Sequence, residues 1–156
     1  MSSKIEERLQ ALGLSLPGAP APVANYVATR TVGNLLFVSG QVSRTDDGKL
    51  IAGKLGAGLT VEQGQAAARQ CGLALLAQAK AALGDLERIA ACVKVLGFVN
   101  CAADFVQQPA VVNGCSDLLV DVLGDAGRHA RSAVGVNALP MNAAVEVEAI
   151  FQTASK

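Results

Sequence analysis

"AAVEVEAIF", residues 143–151, alternates apolar side chains with two glutamates. Successive side chains of a strand point to opposite faces, so Val145, Val147, Ala149 and Phe151 share one face while Ala144, Glu146, Glu148 and Ile150 share the other. The first set is suited to a core, and the second carries two carboxylates. In "RSAVGV", residues 131–136, Val134 and Val136 fall on one side and Arg131, Ala133 and Gly135 on the other. If the valines of both strands face the same covering layer, Arg131 and Glu146 share the uncovered face.

Working outward, Tyr26–Val32 and Leu35–Val42 are two strand-like runs joined at Gly33-Asn34, which suits a tight hairpin. A break at Asp46-Asp47-Gly48 leads to a short third strand near Leu50–Ala52. Thr60-Val61-Glu62-Gln63 has the form of a capping box, and the helix it opens runs to Leu83 before Gly84. On that helix Glu62, Arg69 and Lys80 lie together, and Val61, Ala68, Cys71, Leu75 and Ala79 line the far side. Ala91–Cys101 is strand-like, and Pro109 sits at the first position of a second helix that ends at Gly124. The predicted order βββαβαββ makes an α+β fold, a six-stranded sheet with two long helices on one face. Leu35-Leu36-Phe37-Val38 and Cys92–Leu96 are apolar on both faces, which an open, solvated sheet would not be. Another subunit is expected to cover the second face, with Arg131 and Glu146 at or near the interface.

The 156 residues form one domain, with residues 1–20 as an appended helix and loop in which Ile5, Leu9 and Leu12 share a face. Acidic and basic residues balance at 13 each, and the chain has one Tyr, four Phe and no Trp. A neutral, aromatic-poor surface argues against nucleic acid. The four cysteines, Cys71, Cys92, Cys101 and Cys115, lie in apolar stretches without a CxxC pair, so core thiols are expected and metal-ligand spacing is absent. With no signal-peptide pattern and no apolar run of membrane-spanning length, the expectation is a soluble cytoplasmic protein.

Arg131 has small neighbours on its face, so its guanidinium can hold a carboxylate bidentately; as a strand-end arginine it can equally pair with Glu148 or solvent. Glu146 and Glu148 suit either a general base in an enclosed pocket or the polar face of a half-exposed strand. His129, the only histidine, reads as a loop residue or a cap for nearby carbonyls. Tyr26 reads as a packing residue with its hydroxyl at a rim, and Ser39-Gly40 as a bulge or pocket wall. No phosphate loop, dinucleotide fingerprint or nucleophile elbow is present.

"NYVATRTVGNLLFVSGQV" (25–42), "VKVLGFVNCAADF" (93–105), "HARSAVGV" (129–136) and "LPMNAAVEVEAIF" (139–151), in this order and spacing, resemble the RidA (YjgF/UK-type) family, formerly called L-PSP endoribonucleases or translation inhibitors. The resemblance implies a chorismate-mutase-like fold assembled as a homotrimer, with sheets packed into a central barrel and clefts between subunits. It also implies hydrolysis of reactive 2-imino acids to 2-oxo acids and ammonia, without metal or cofactor. Arg131 would bind the substrate carboxylate, Glu146 would position or activate water, and Tyr26, Ser39, Gly40 and Ala133 would line the substrate site. The chain departs from the family's imine deaminases at Ala133, where they carry cysteine, and at Gly135, where many carry glutamate. A binder of small carboxylates such as 2-oxo acids is the alternative, and an endoribonuclease rests only on the old family name.

Overall fold

A computed structural model describes residues 3–155; Met1, Ser2 and Lys156, at the ends of the expected single domain, lie outside the described residues. The elements are α1 (Lys4–Ala11), β1 (Thr29–Val32), β2 (Leu35–Val42), β3 (Lys54–Leu55), β4 (Gly58–Leu59), α2 (Val61–Leu83), β5 (Ile89–Asn100), α3 (Gln108–Leu123), β6 (Ala130–Val136) and β7 (Val145–Thr153). The fold is the mixed α+β arrangement expected.

The local signals act as read. Thr60 accepts a hydrogen bond from the Gln63 backbone at 3.2 Å, and Gln63 returns one from the Thr60 backbone at 2.9 Å. Gly84 closes α2 in the left-handed conformation at φ 81°. Gly33, at φ 60°, turns β1 into β2.

The main sheet has five strands, not six, in the order β1-β2-β7-β5-β6, so the last strand of the sequence lies at its centre. The expected third strand forms only isolated bridges, Leu50 with Arg44 and Ala52 with Ala143. That run is three residues long and meets Gly53, whose φ of 130° breaks the extended backbone. β5 and β6 are parallel because α3 carries the chain back between them, and the other neighbours in the main sheet are antiparallel.

α2 and α3 cover one face. Beneath them Val145, Val147 and Phe151 are fully buried with Val95 and Val99 of β5. The helices meet at glycines: a methyl group at Gly114 would overlap the Gln65 carbonyl oxygen, and one at Gly72 would lie 2.7 Å from Leu118 Cδ2. The other face keeps Phe37 39% exposed and Val134 42% exposed. Among the described residues no helix is long and apolar enough to cross a membrane.

The N-terminal helix is not a loose appendage. Ile5 and Leu9 join the core, Arg8 donates to the Val122 carbonyl at 3.1 Å, and Lys80 pairs with Glu6. The Glu87 carboxylate accepts from the Ile5 backbone at 2.9 Å. Leu12, expected on the same buried stripe, is 44% exposed because the helix has already ended at Ala11.

Gly114→Ala is expected to force α2 and α3 apart and to destabilise the fold by about 1–3 kcal/mol. Urea denaturation at fixed protein concentration checks this as a lowered midpoint.

Candidate functional site

An open cleft of about 840 Å³ brings together four of the residues selected from sequence, Tyr26, Ser39, Gly40 and Glu146. The pairing of β2 with β7 shifts register between Val38 and Gln41, so Ser39-Gly40 forms the bulge that the glycine suggested. Ser39 is tied back to the chain ahead of β1, its backbone donating to the Ala28 carbonyl at 2.9 Å and its hydroxyl to the Val27 carbonyl at 2.7 Å. Glu146 lies directly over the bulge: a methyl group at Gly40 would overlap its carboxylate oxygen. Any side chain at Gly40 would push that carboxylate aside.

Tyr26 does not start the first strand. It precedes β1 by three residues, in a bend, and at 58% exposure its ring belongs to the cleft wall rather than to the core. The bend follows from the proline-rich segment before it, whose Pro20 and Pro22 line the same cleft. Sequence reasoning treated that segment as a plain loop.

Glu146 is half-buried, and among the described residues it forms no ion pair. Burial raises its pKa above the ordinary carboxylate value, and the like charge of Glu148 adds to the rise. Glu148 follows on the same face and is exposed. A carboxyl group in this setting takes up and releases a proton closer to neutrality than a free one.

Arg131 is elsewhere. Register pairs it with Val95, and Val95 with Ala149, all on the face that carries the helices, whereas Glu146 pairs with Phe98 on the opposite face. Its Nη1 donates to Asn113 Oδ1 at 2.8 Å and to Ser116 Oγ at 3.1 Å, both on α3, and Nη2 approaches the Pro109 carbonyl at 3.5 Å. Among the described residues it pairs with no carboxylate, Glu148 included. The expectation that Arg131 and Glu146 share the uncovered face of one chain is therefore corrected. Its premise fails at β6, where Val134 faces outward and the small residues face the helix. α3 lies too close for anything larger: Val112 rests against Gly97, the register partner of Ala133, and a methyl group at Gly135 would lie 2.7 Å from Gln108 Nε2.

Ala133 packs against the core and lines neither this cleft nor a smaller cavity of about 350 Å³ beside Cys101, Phe105, Gln108 and Gly135. The six residues thus divide into Tyr26, Ser39, Gly40 and Glu146 in the cleft, and Arg131 with Ala133 on the edge strand β6. All four cysteines are free and buried. Burial pushes Cys92 and Cys115 up to about 12 and raises Cys71 as well. Among the described residues no group of three or more His, Cys, Asp and Glu could hold a metal ion.

Two partners of Arg131 escaped sequence reasoning. Asn113 and Ser116 are three apart on one helical face, a spacing visible only once α3 is known to lie over β6. His129 does cap a carbonyl as expected, its Nδ1 lying 2.6 Å from the Gly127 oxygen, but its Nε2 also lies 2.9 Å from Ser116 Oγ.

A family model described as "YjgF/chorismate_mutase-like, putative endoribonuclease" matches residues 6–152. Protein TCP17 of Trypanosoma cruzi is 50% identical over 152 residues, covering 97% of this chain and 95% of that protein. The crystal structure of Atu1372 from Agrobacterium tumefaciens superposes with a TM-score of 0.90 at 46% identity, covering 97% of this chain and 93% of that one. RidA from the Antarctic bacterium Psychrobacter sp. PAMC 21119 superposes with a TM-score of 0.60 at 30% identity, covering 86% and 93%.

Glu148→Gln removes the like charge beside Glu146, and the titration midpoint of Glu146 is expected to fall. Carbon-13 NMR of the carboxyl groups checks this; an unmoved midpoint contradicts the coupling.

Proposed function

The chain belongs to the YjgF/chorismate mutase-like family, and on that premise we propose that it hydrolyses reactive 2-imino acids to 2-oxo acids and ammonia in clefts completed by a neighbouring copy. The observation that carries this reading is Glu146, a half-buried carboxyl group of raised pKa lying over the Gly40 bulge in an open cleft.

Glu146 accepts a proton from water as the oxygen attacks the imine carbon. The C–O bond forms and the C=N pair moves to nitrogen, giving a carbinolamine. The proton then passes from Glu146 to nitrogen, the hydroxyl proton follows it as the C–N bond breaks, ammonia leaves, and the carbonyl closes. Water is the only co-reactant. Arg131 holds the substrate carboxylate, for which its uncompensated guanidinium is suited. Tyr26, Ser39 and Gly40 form the wall.

Within one chain Arg131 and Glu146 lie on opposite faces of the sheet, so a site containing both needs two copies. The apolar open face favours that assembly: Phe37, Leu96, Phe98, Val134 and Ile150 lie there around Glu146 and Glu148. β6 is also an edge strand with an unpaired backbone side. A homotrimer with three equivalent clefts satisfies these requirements together.

Added to threonine and a threonine dehydratase, the protein is expected to speed release of 2-oxobutanoate. No acceleration over the dehydratase alone, with serine also tried, overturns the reading; stabilisation by 2-oxobutanoate without turnover leaves a carboxylate binder instead. Arg131→Ala and Glu146→Gln are each expected to lower kcat/KM by roughly a hundredfold or more. Unfolding the two variants together and refolding the mixture is expected to restore activity, because some clefts then receive Arg131 from one copy and Glu146 from another. The acidic limb of kcat/KM is expected above the ordinary carboxylate value of 4.5, since Glu146 must be unprotonated and its pKa is raised.

A further inference from the structure

We propose that His129 and Ser116 act as a positioning pair, fixing Arg131 so that its Nε–Nη2 edge stays free for a carboxylate; this rests on the reading of Arg131 as the carboxylate-binding residue. The structure gives His129 one consistent proton arrangement. The Gly127 carbonyl can only accept, so Nδ1, 2.6 Å away, carries the ring proton. Nε2 is then the acceptor in the 2.9 Å contact with Ser116, whose hydroxyl donates to it. That donation commits the only hydrogen of Ser116 and leaves its lone pairs for Arg131 Nη1 at 3.1 Å.

Without the imidazole, a serine inside a helix turns its hydroxyl back to a carbonyl of the preceding turn, here that of Val112, and its lone pairs turn with it. The platform beneath the imidazole is rigid. Gly127 is buried, and a methyl group on it would overlap the Leu119 carbonyl oxygen, so the turn after α3 is closed tightly on the helix. Burial lowers the pKa of His129, against the effect of its bond to Gly127, and the charge of Arg131 lowers it further. The ring therefore stays neutral at neutral pH.

Arg131 has five N–H bonds to place. Both hydrogens of Nη1 are used, one by Asn113 Oδ1 at 2.8 Å and one by Ser116. Nε makes no hydrogen bond among the described residues, and Nη2 has only the long approach to Pro109. The edge shared by Nε and Nη2 is the one a carboxylate engages with two parallel hydrogen bonds. His129 thus acts through Ser116 on the orientation of the guanidinium without touching the ligand.

Calorimetric titration of the full-length protein with 2-oxobutanoate tests this. Ser116→Ala and His129→Leu are each expected to weaken binding roughly three- to tenfold, the loss of one orienting hydrogen bond. The double variant is expected to be no weaker than either single one, because the two residues act as a unit. His129→Gln, which keeps a donor and an acceptor, is expected to recover most of the affinity. In an Arg131→Ala background the His129 and Ser116 substitutions are expected to have no effect. If Arg131→Ala abolishes binding while Ser116→Ala and His129→Leu leave it intact, the positioning role is overturned and the arginine reading stands. If Arg131→Ala leaves binding intact, both fall. A readout that needs no variant is the nitrogen-15 spectrum of the single imidazole: a proton on Nδ1 supports the pair, and a proton on Nε2 overturns it.

Discussion

Val145, Val147 and Phe151 of β7 are fully buried beneath the helices, and a strand that buries one set of side chains must present the other set on its far face. β7 is also the central strand, held by β2 on one side and β5 on the other. Its register therefore governs the sheet, since a slip of one residue would exchange its valines for its glutamates. Two helices cover one face only. Glu146, Glu148 and the apolar residues around them are left on the other.

The helix-covered face has a corresponding constraint at its edge. α3 lies close enough to the sheet that Gly97, Ala133 and Gly135 form a shelf of small residues under Val112 and Gln108. Arg131 is the long side chain at the end of that shelf, and it follows the surface of α3 until it meets Asn113 and Ser116. The same closeness that would press a methyl group at Gly97 against Val112 gives the arginine its partners. Carboxylate and arginine are kept apart in one chain by the sheet itself.

The N-terminal region contributes to both layers. α1 is held to α2 by Lys80 and to α3 by the Val122 carbonyl. The chain from Pro17 to Val23 then forms one wall of the Glu146 cleft before Tyr26 and β1 begin. Helix and cleft wall are therefore two ends of one segment, anchored in the core at Ile5 and Leu9.

What the sequence determined by itself was local. The capping box at Thr60, the stops at Gly84 and Gly124, the hairpin at Gly33, the bulge at Ser39-Gly40 and the alternation of β7 each depend on residues a few positions apart, so their chemistry is complete in the chain. Three of the six site residues, Ser39, Gly40 and Glu146, follow from the bulge and that alternation. Only the tertiary structure decided which way β6 faces, that the run near Ile51 ends as bridges, and that Ser116 meets His129. In β6 the pattern is ambiguous, because Ala133 and Gly135 on one side and Val134 and Val136 on the other are all apolar or small. The choice between those faces belongs to the distance between α3 and the sheet, and that distance is set by glycines and side chains far from β6 in sequence.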